Sequence, residues 1–157
     1  MRLVLAADHR GYCLKNVIAQ HLRNSGHEVT DIGTNDATPV DFPDITLAAA
    51  LQIRGGKAER GVVVCGSGVG ACIAANKLRG LRAALTHDTY SAHQGVEHDD
   101  MNVVCLGSRV IGDALALEIV RAFLAASFVS NERYARRRRK VNALDQGASA
   151  EQTARTG

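Results

Sequence analysis

The chain has 157 residues, 46% of them hydrophobic and 22% charged, with a formal net charge of +3; this is enough for one domain with a real core and leaves little room for a second. The first apolar run stops at Asp8, too short and too soon charged for a signal peptide, and no stretch is long enough to span a bilayer. Four cysteines (Cys13, Cys65, Cys72, Cys105) form no C-x-x-C pair and sit in apolar segments, which points to reduced thiols in a cytoplasmic protein rather than a disulfide framework.

Short apolar runs alternate with longer amphipathic segments. RLVLAA (2–7) reads as a strand, and residues 11–26 as a helix with Leu14, Val17, Ile18 and Leu22 on one face and Gly26 as its stop. HEVTDIG (27–33) is a second strand, and Pro43 to Arg54 an Ala/Leu-rich helix. GVVVC (61–65) is the third strand and VGACIAANKLRG (69–80) the third helix. RAALT (82–86), a polar helix over 89–97, NVVCLG (102–107) and a helix from Asp113 to Ala126 follow. The stretch after Asn131 reads as a terminal helix that completes a single domain over 1–145, and the polar, small-residue composition of 146–157 as a disordered tail. Strict β/α alternation implies a parallel sheet between two helical layers. The expected fold is a doubly wound, Rossmann-like αβα sandwich of five strands in the order 2-1-3-4-5.

In such a sheet ligands bind beyond the carboxyl ends of the strands, where the strand order reverses. Two strand ends here carry polar chemistry: Asp8-His9 after the first, and Cys65 followed by Gly66-Ser67-Gly68-Val69-Gly70 after the third. With strands one and three adjacent, carboxylate, imidazole, thiol and glycine loop share one crevice. Alternating glycines let bare backbone amides approach a ligand and, with the following helix start, form a site for anionic oxygen. A helix start also favours the thiolate of a cysteine placed against it. A thiolate base beside oxyanion donors suits removal of a carbon-bound proton and storage of the resulting enediolate. The plainer alternative is that Cys65 is a small buried hydrophobe and the glycines make a tight turn.

Other chemistries fit less well. Gly66-x-Gly68-x-x-Ala71 with Asp88 downstream loosely matches a dinucleotide fingerprint, but the loop follows the third strand and no length remains for a catalytic domain. A phosphate-loop ATPase needs Lys-Ser/Thr where Ala71-Cys72 stand, and a cysteine phosphatase needs an arginine at Ala71. His87, His93 and His98 lack a completing set of ligands, so no metal is expected. RYARRRRK (133–140) holds five arginines and one lysine; without aromatic platforms it reads as a phosphate clamp or a solvated helix face rather than a nucleic-acid arm.

Together DHRG (8–11), CGSGVG (65–70), AANK (74–77), EHDDMNV (97–103), GSR (107–109) and ERYARR (132–137) resemble the B-type ribose-5-phosphate isomerases and the related galactose-6-phosphate and tetrose-phosphate isomerases, in order from residue 1 to about 144. The resemblance implies a cofactor-free aldose–ketose isomerase working through a cis-enediolate. It makes Cys65 the base, Gly66, Ser67, Gly68, Val69 and Gly70 the anion hole with Ser67 among the catalytic residues, Asp8 the group that orients substrate hydroxyls, and His98 the acid that opens the furanose ring. Arg109, Arg133 and Arg137 match contacts to substrate or its phosphate, with His9 beside them. It also implies a homodimer or a dimer of dimers, with His98 and the basic segment serving a different crevice from their own Cys65. Neither nucleic acid nor membrane is an expected partner; a small phosphorylated sugar is. The chain departs from the family pattern at Asp99 (usually asparagine), Tyr134 (usually histidine) and Phe42 (often tyrosine), positions that bear on which sugar is used. Ribose 5-phosphate is the leading substrate, a four-carbon or six-carbon sugar phosphate the runner-up, and a non-catalytic sugar-phosphate or nucleotide binder the reading from another class.

Overall fold

The computed structural model describes residues 1–145; the expected tail at 146–157 lies outside them. Five parallel strands, β1 (Arg2–Ala7), β2 (Glu28–Gly33), β3 (Arg60–Cys65), β4 (Ala83–Leu85) and β5 (Val103–Gly107), form one sheet. Six helices accompany them: α1 (Tyr12–Asn24), α2 (Phe42–Arg54), α3 (Val69–Ala75), α4 (Thr89–Asp99), α5 (Asp113–Ala125) and α6 (Glu132–Leu144).

The core is two-sided because the strand period is two. On β1, Leu3, Leu5 and Ala7 join Ile18, Leu22, Val96, Ile119 and Phe123 beneath α1, α4 and α5. Val4 and Ala6 point the other way, to Ala49, Ala50, Ala71 and Ala75 beneath α2 and α3. β3 and β5 split likewise, with Val62, Val64, Val104 and Leu106 on the first face and Val63, Cys65, Val103 and Cys105 on the second. This confirms the expected fold class.

The strand order is 2-1-3-5-4, not 2-1-3-4-5. All five residues of β5 are buried, so it belongs in the middle of the sheet, whereas β4 has three residues, none of them buried, and suits an edge. β2, at the other edge, is not buried on both faces either: Glu28, Thr30 and Asp31 are exposed. The third helix stops at Ala75 rather than 80. Asn76 ends it by turning its side chain to β4, donating to the Ala83 carbonyl (2.8 Å) and accepting from the Ala83 amide (3.0 Å). α4 runs two residues further than its sequence pattern suggested, so His98 and Asp99 lie in its last turn, and Asp100 (φ 55°) ends it. The β1–β3 adjacency survives the reordering, and it places the site.

Candidate active site

Where β1 ends, Asp8 donates its amide to the Val64 carbonyl of β3 (3.2 Å) and folds its carboxylate back on its own turn. Its Oδ1 accepts from the amides of Arg10 (2.9 Å) and Gly11 (3.0 Å), while Oδ2 has no partner among the described residues. A Cβ on Gly11 would lie 2.4 Å from the Val64 oxygen, so only glycine lets the two strand ends come this close.

Where β3 ends, Cys65 is buried and its Sγ accepts from the Gly68 amide at 3.1 Å. Gly68 adopts φ 81°, which turns the chain from strand to helix and aims that N–H at the sulfur. The Val69 amide donates to Ser67 Oγ (3.3 Å), whereas the amides of Ser67 and Gly70 have no acceptor among the described residues. The loop after β5 braces this one: Ser108 donates its amide to the Cys65 carbonyl (2.9 Å), and Arg109 donates its amide to the Gly66 carbonyl (3.0 Å). His87 Nε2 in turn accepts from the Gly107 amide (3.1 Å). Behind the loop, the neighbouring Cys105 thiol is the main cause holding the Cys72 thiol down to about 6, and the Cys72 thiol together with burial pushes Cys105 up.

These two strand ends line a cleft of about 370 Å³ that holds Asp8, Phe42, Cys65, Gly66, Ser67, Gly70 and Arg109 of the expected set. Arg10 and Val110 line it as well. Arg10 stood inside the DHRG stretch, two residues after the aspartate, and that proximity was the available signal. Phe42 packs its ring over Gly70, so close that a Cβ there would sit 2.9 Å from the ring. A carboxylate, a thiol, unpaired amides and two guanidinium groups thus face one small cleft, an arrangement able to hold an anionic sugar and move its proton.

The rest of the expected set lies elsewhere in the chain. His9 is tied to the loop before α2, its Nδ1 accepting from the Val40 amide (3.3 Å), and Val69 points to solvent at the start of α3. His98 lines a cavity of about 660 Å³ with Tyr90, His93 and Gln94. Asp99, exposed, and Arg137 line another of about 410 Å³ between α4, α6 and the β4 edge. Arg133 is exposed, its guanidinium 5.6 Å from the Tyr134 ring. Both nitrogens of His98 are engaged, Nδ1 with the Gln94 amide and Nε2 with the Tyr134 hydroxyl at 2.9 Å; neither partner was singled out for this from sequence. Among the described residues no three His, Cys, Asp or Glu side chains converge as metal ligands, and no helix is long and apolar enough to cross a membrane.

A family profile described as Ribose/Galactose Isomerase matches residues 3–141. The chain is 39% identical over 145 residues to ribose-5-phosphate isomerase B of Escherichia coli, covering 92% of this chain and 97% of that one. It is 42% identical over 130 residues to D-erythrulose-4-phosphate isomerase of Pectobacterium atrosepticum, covering 82% and 85%. Among solved structures, ribose-5-phosphate isomerase B of Clostridium thermocellum superposes with a TM-score of 0.91 at 42% identity, over 95% of this chain and 100% of that one. That of Mycoplasma genitalium, with ribulose-5-phosphate bound, superposes with a TM-score of 0.88 at 35% identity, over 94% and 97%. The chain belongs to the ribose/galactose isomerase family and is an aldose–ketose isomerase.

Proposed function

We propose that the protein interconverts ribose 5-phosphate and ribulose 5-phosphate, with Cys65 as the base. The observation that carries this reading is the Cys65 sulfur at the foot of the Asp8 cleft, on the same loop as the unpaired Ser67 and Gly70 amides. In the open-chain aldose, the Cys65 thiolate takes the proton from C2, and the electron pair passes into the C1 carbonyl to give an enediolate. The loop amides hold the new negative oxygen. The O2 proton passes to O1, and delivery of a proton to C1 as the O2 electron pair forms the new carbonyl gives the ketose. Asp8, with Oδ2 unspoken for, orients a sugar hydroxyl, and Ser67 adds a hydroxyl in the same loop.

His98, Asp99, Arg133 and Arg137 lie away from their own Cys65 cleft, which supports a homodimer or dimer of dimers in which these groups complete a neighbour's site. There His98 serves ring opening and the arginines take the phosphate. Four free cysteines support a cytoplasmic setting. A four-carbon substrate is the second reading, favoured by the D-erythrulose-4-phosphate isomerase relative and by Phe42, which brings no hydroxyl to the cleft.

In heavy water the wild type is expected to carry deuterium into C1 of ribulose 5-phosphate. Cys65→Ala is expected to lose exchange and turnover by at least about 10²-fold, while still binding substrate. Exchange that survives the substitution removes Cys65 as the base. A turnover panel of four-, five- and six-carbon sugar phosphates decides the sugar.

A further inference from the structure

Opening a furanose ring needs a proton for the ring oxygen, and the donor must have one free to give. Through Gln94 Nε2, the α4 amide side chain faces His98 Nδ1, four residues on. An amide nitrogen can only donate, so Nδ1 is the acceptor and the imidazole proton sits on Nε2. That proton points at the Tyr134 oxygen, 2.9 Å away. The two rings also stack, centroids 4.2 Å apart and planes 21° from parallel, which fixes the phenol against the imidazole across the α4–α6 contact. His98 therefore has no nitrogen left for a sugar, while Tyr134, accepting from Nε2, keeps its own O–H proton unspent. Tyr134 is half-buried, so its hydroxyl is not sealed off.

We infer that Tyr134 is a catalytic residue of the ring-opening step, its phenol delivering the proton to the furanose ring oxygen with the His98 Nε2–H behind it to stabilise the phenolate that forms. This rests on the proposed reading of the site as a ribose 5-phosphate isomerase in which His98 serves ring opening. As the bond from C1 to the ring oxygen breaks, its electron pair goes to that oxygen, which takes the Tyr134 proton. The anomeric O–H pair becomes the C1 carbonyl bond, and its proton leaves to water. The phenolate oxygen, held meanwhile by the His98 Nε2–H, recovers a proton from water. Gln94 is a positioning residue that holds the tautomer required.

The chemistry of the two sugars supplies the test. Ribose 5-phosphate closes to a furanose through O4. Ribulose 5-phosphate cannot, because the oxygen that would close its five-membered ring carries the phosphate. Deuterium exchange at C1 of ribulose 5-phosphate therefore reports on the base alone, and conversion of ribose 5-phosphate reports on base and ring opening together. For Tyr134→Phe we expect conversion of ribose 5-phosphate to fall about 100-fold, with exchange into ribulose 5-phosphate within about threefold of wild type. Equal loss in both assays, or loss in neither, overturns the proposal; equal loss would make Tyr134 a brace or a phosphate contact. Retained exchange also shows that the variant is folded. His98→Gln is expected to give the same split. A split in Tyr134→Phe without one in His98→Gln removes His98 from the step and leaves Tyr134 in it. Exchange that survives Cys65→Ala refutes the base, not the phenol, and a wild type that neither converts nor exchanges these sugars sinks both readings.

Discussion

Gly70 belongs to the glycine loop after Cys65 and Gly107 touches it, but an added methyl would meet different neighbours. At Gly107 it would lie 2.5 Å from the Ser67 carbonyl oxygen and 2.7 Å from its carbon, backbone atoms that cannot yield without moving the loop. At Gly70 it would meet the Phe42 ring at 2.9–3.2 Å, and that ring is 38% exposed and free to swing. Gly107→Ala is therefore expected to cost about 1–3 kcal/mol of stability and about 10²-fold in kcat/KM, because it displaces the amides around Cys65. Gly70→Ala is expected to cost less than about 1 kcal/mol and to act on KM through the displaced ring. Urea denaturation and steady-state turnover of the two variants check this. At this scale Asp8, Cys65 and the glycine loop were legible because each marks the end of an apolar run. The bracing of Gly107 against Ser67 was not, since nothing local in GSR announces which loop it will meet.

Arg60 opens β3 yet serves a helix far along the chain. Its guanidinium donates to the Phe123 carbonyl and, at 2.8 Å, to that of Ala126, and lies 5.2 Å over the Phe123 ring. A cation at the carboxyl end of α5 satisfies carbonyls that the helix leaves open. Arg60→Met is expected to keep the packing, leave those oxygens unpaired and lower stability by about 1–3 kcal/mol without changing the rate at the distant cleft. A lower denaturation midpoint at unchanged kcat is the expected result. Elements were the most legible level: strand-like runs of five to seven residues and helical spacing located the five strands and six helices of the described residues. The misplaced end of α3 shows what periodicity lacks. Asn76 is neutral to the pattern, and only its pairing with Ala83 across a turn ends the helix. The order of β4 and β5 was hidden for a similar reason, since chain order suggests neighbours while burial decides them.

For the whole molecule, Cys65 and His98 line separate cavities of one chain. If each site draws its base from one copy and its ring-opening groups from another, mixing Cys65→Ala with His98→Gln restores conversion of ribose 5-phosphate that each alone has largely lost. Random pairing makes half the dimers mixed, with one intact site of two, so the recovery expected is about a quarter of wild type at equal total protein. Failure of mixed, re-equilibrated subunits to regain activity would place both groups in one crevice of one chain. Which residues share a chain's own cleft could not be read from strand ends alone, because α4 and α6 belong to a part of the fold that the β1–β3 switch point does not organise.

The two borders of the sheet bear on how the protein behaves when crowded. On one flank only three residues, Ala83–Leu85, offer a ladder; on the other, β2 carries the exposed Glu28 carboxylate and an Asp31 locked to the buried Lys15. A stray extended peptide finds one rim too brief to grow on and the other electrostatically unwelcoming. The scaffold is thereby guarded against templated fibril growth.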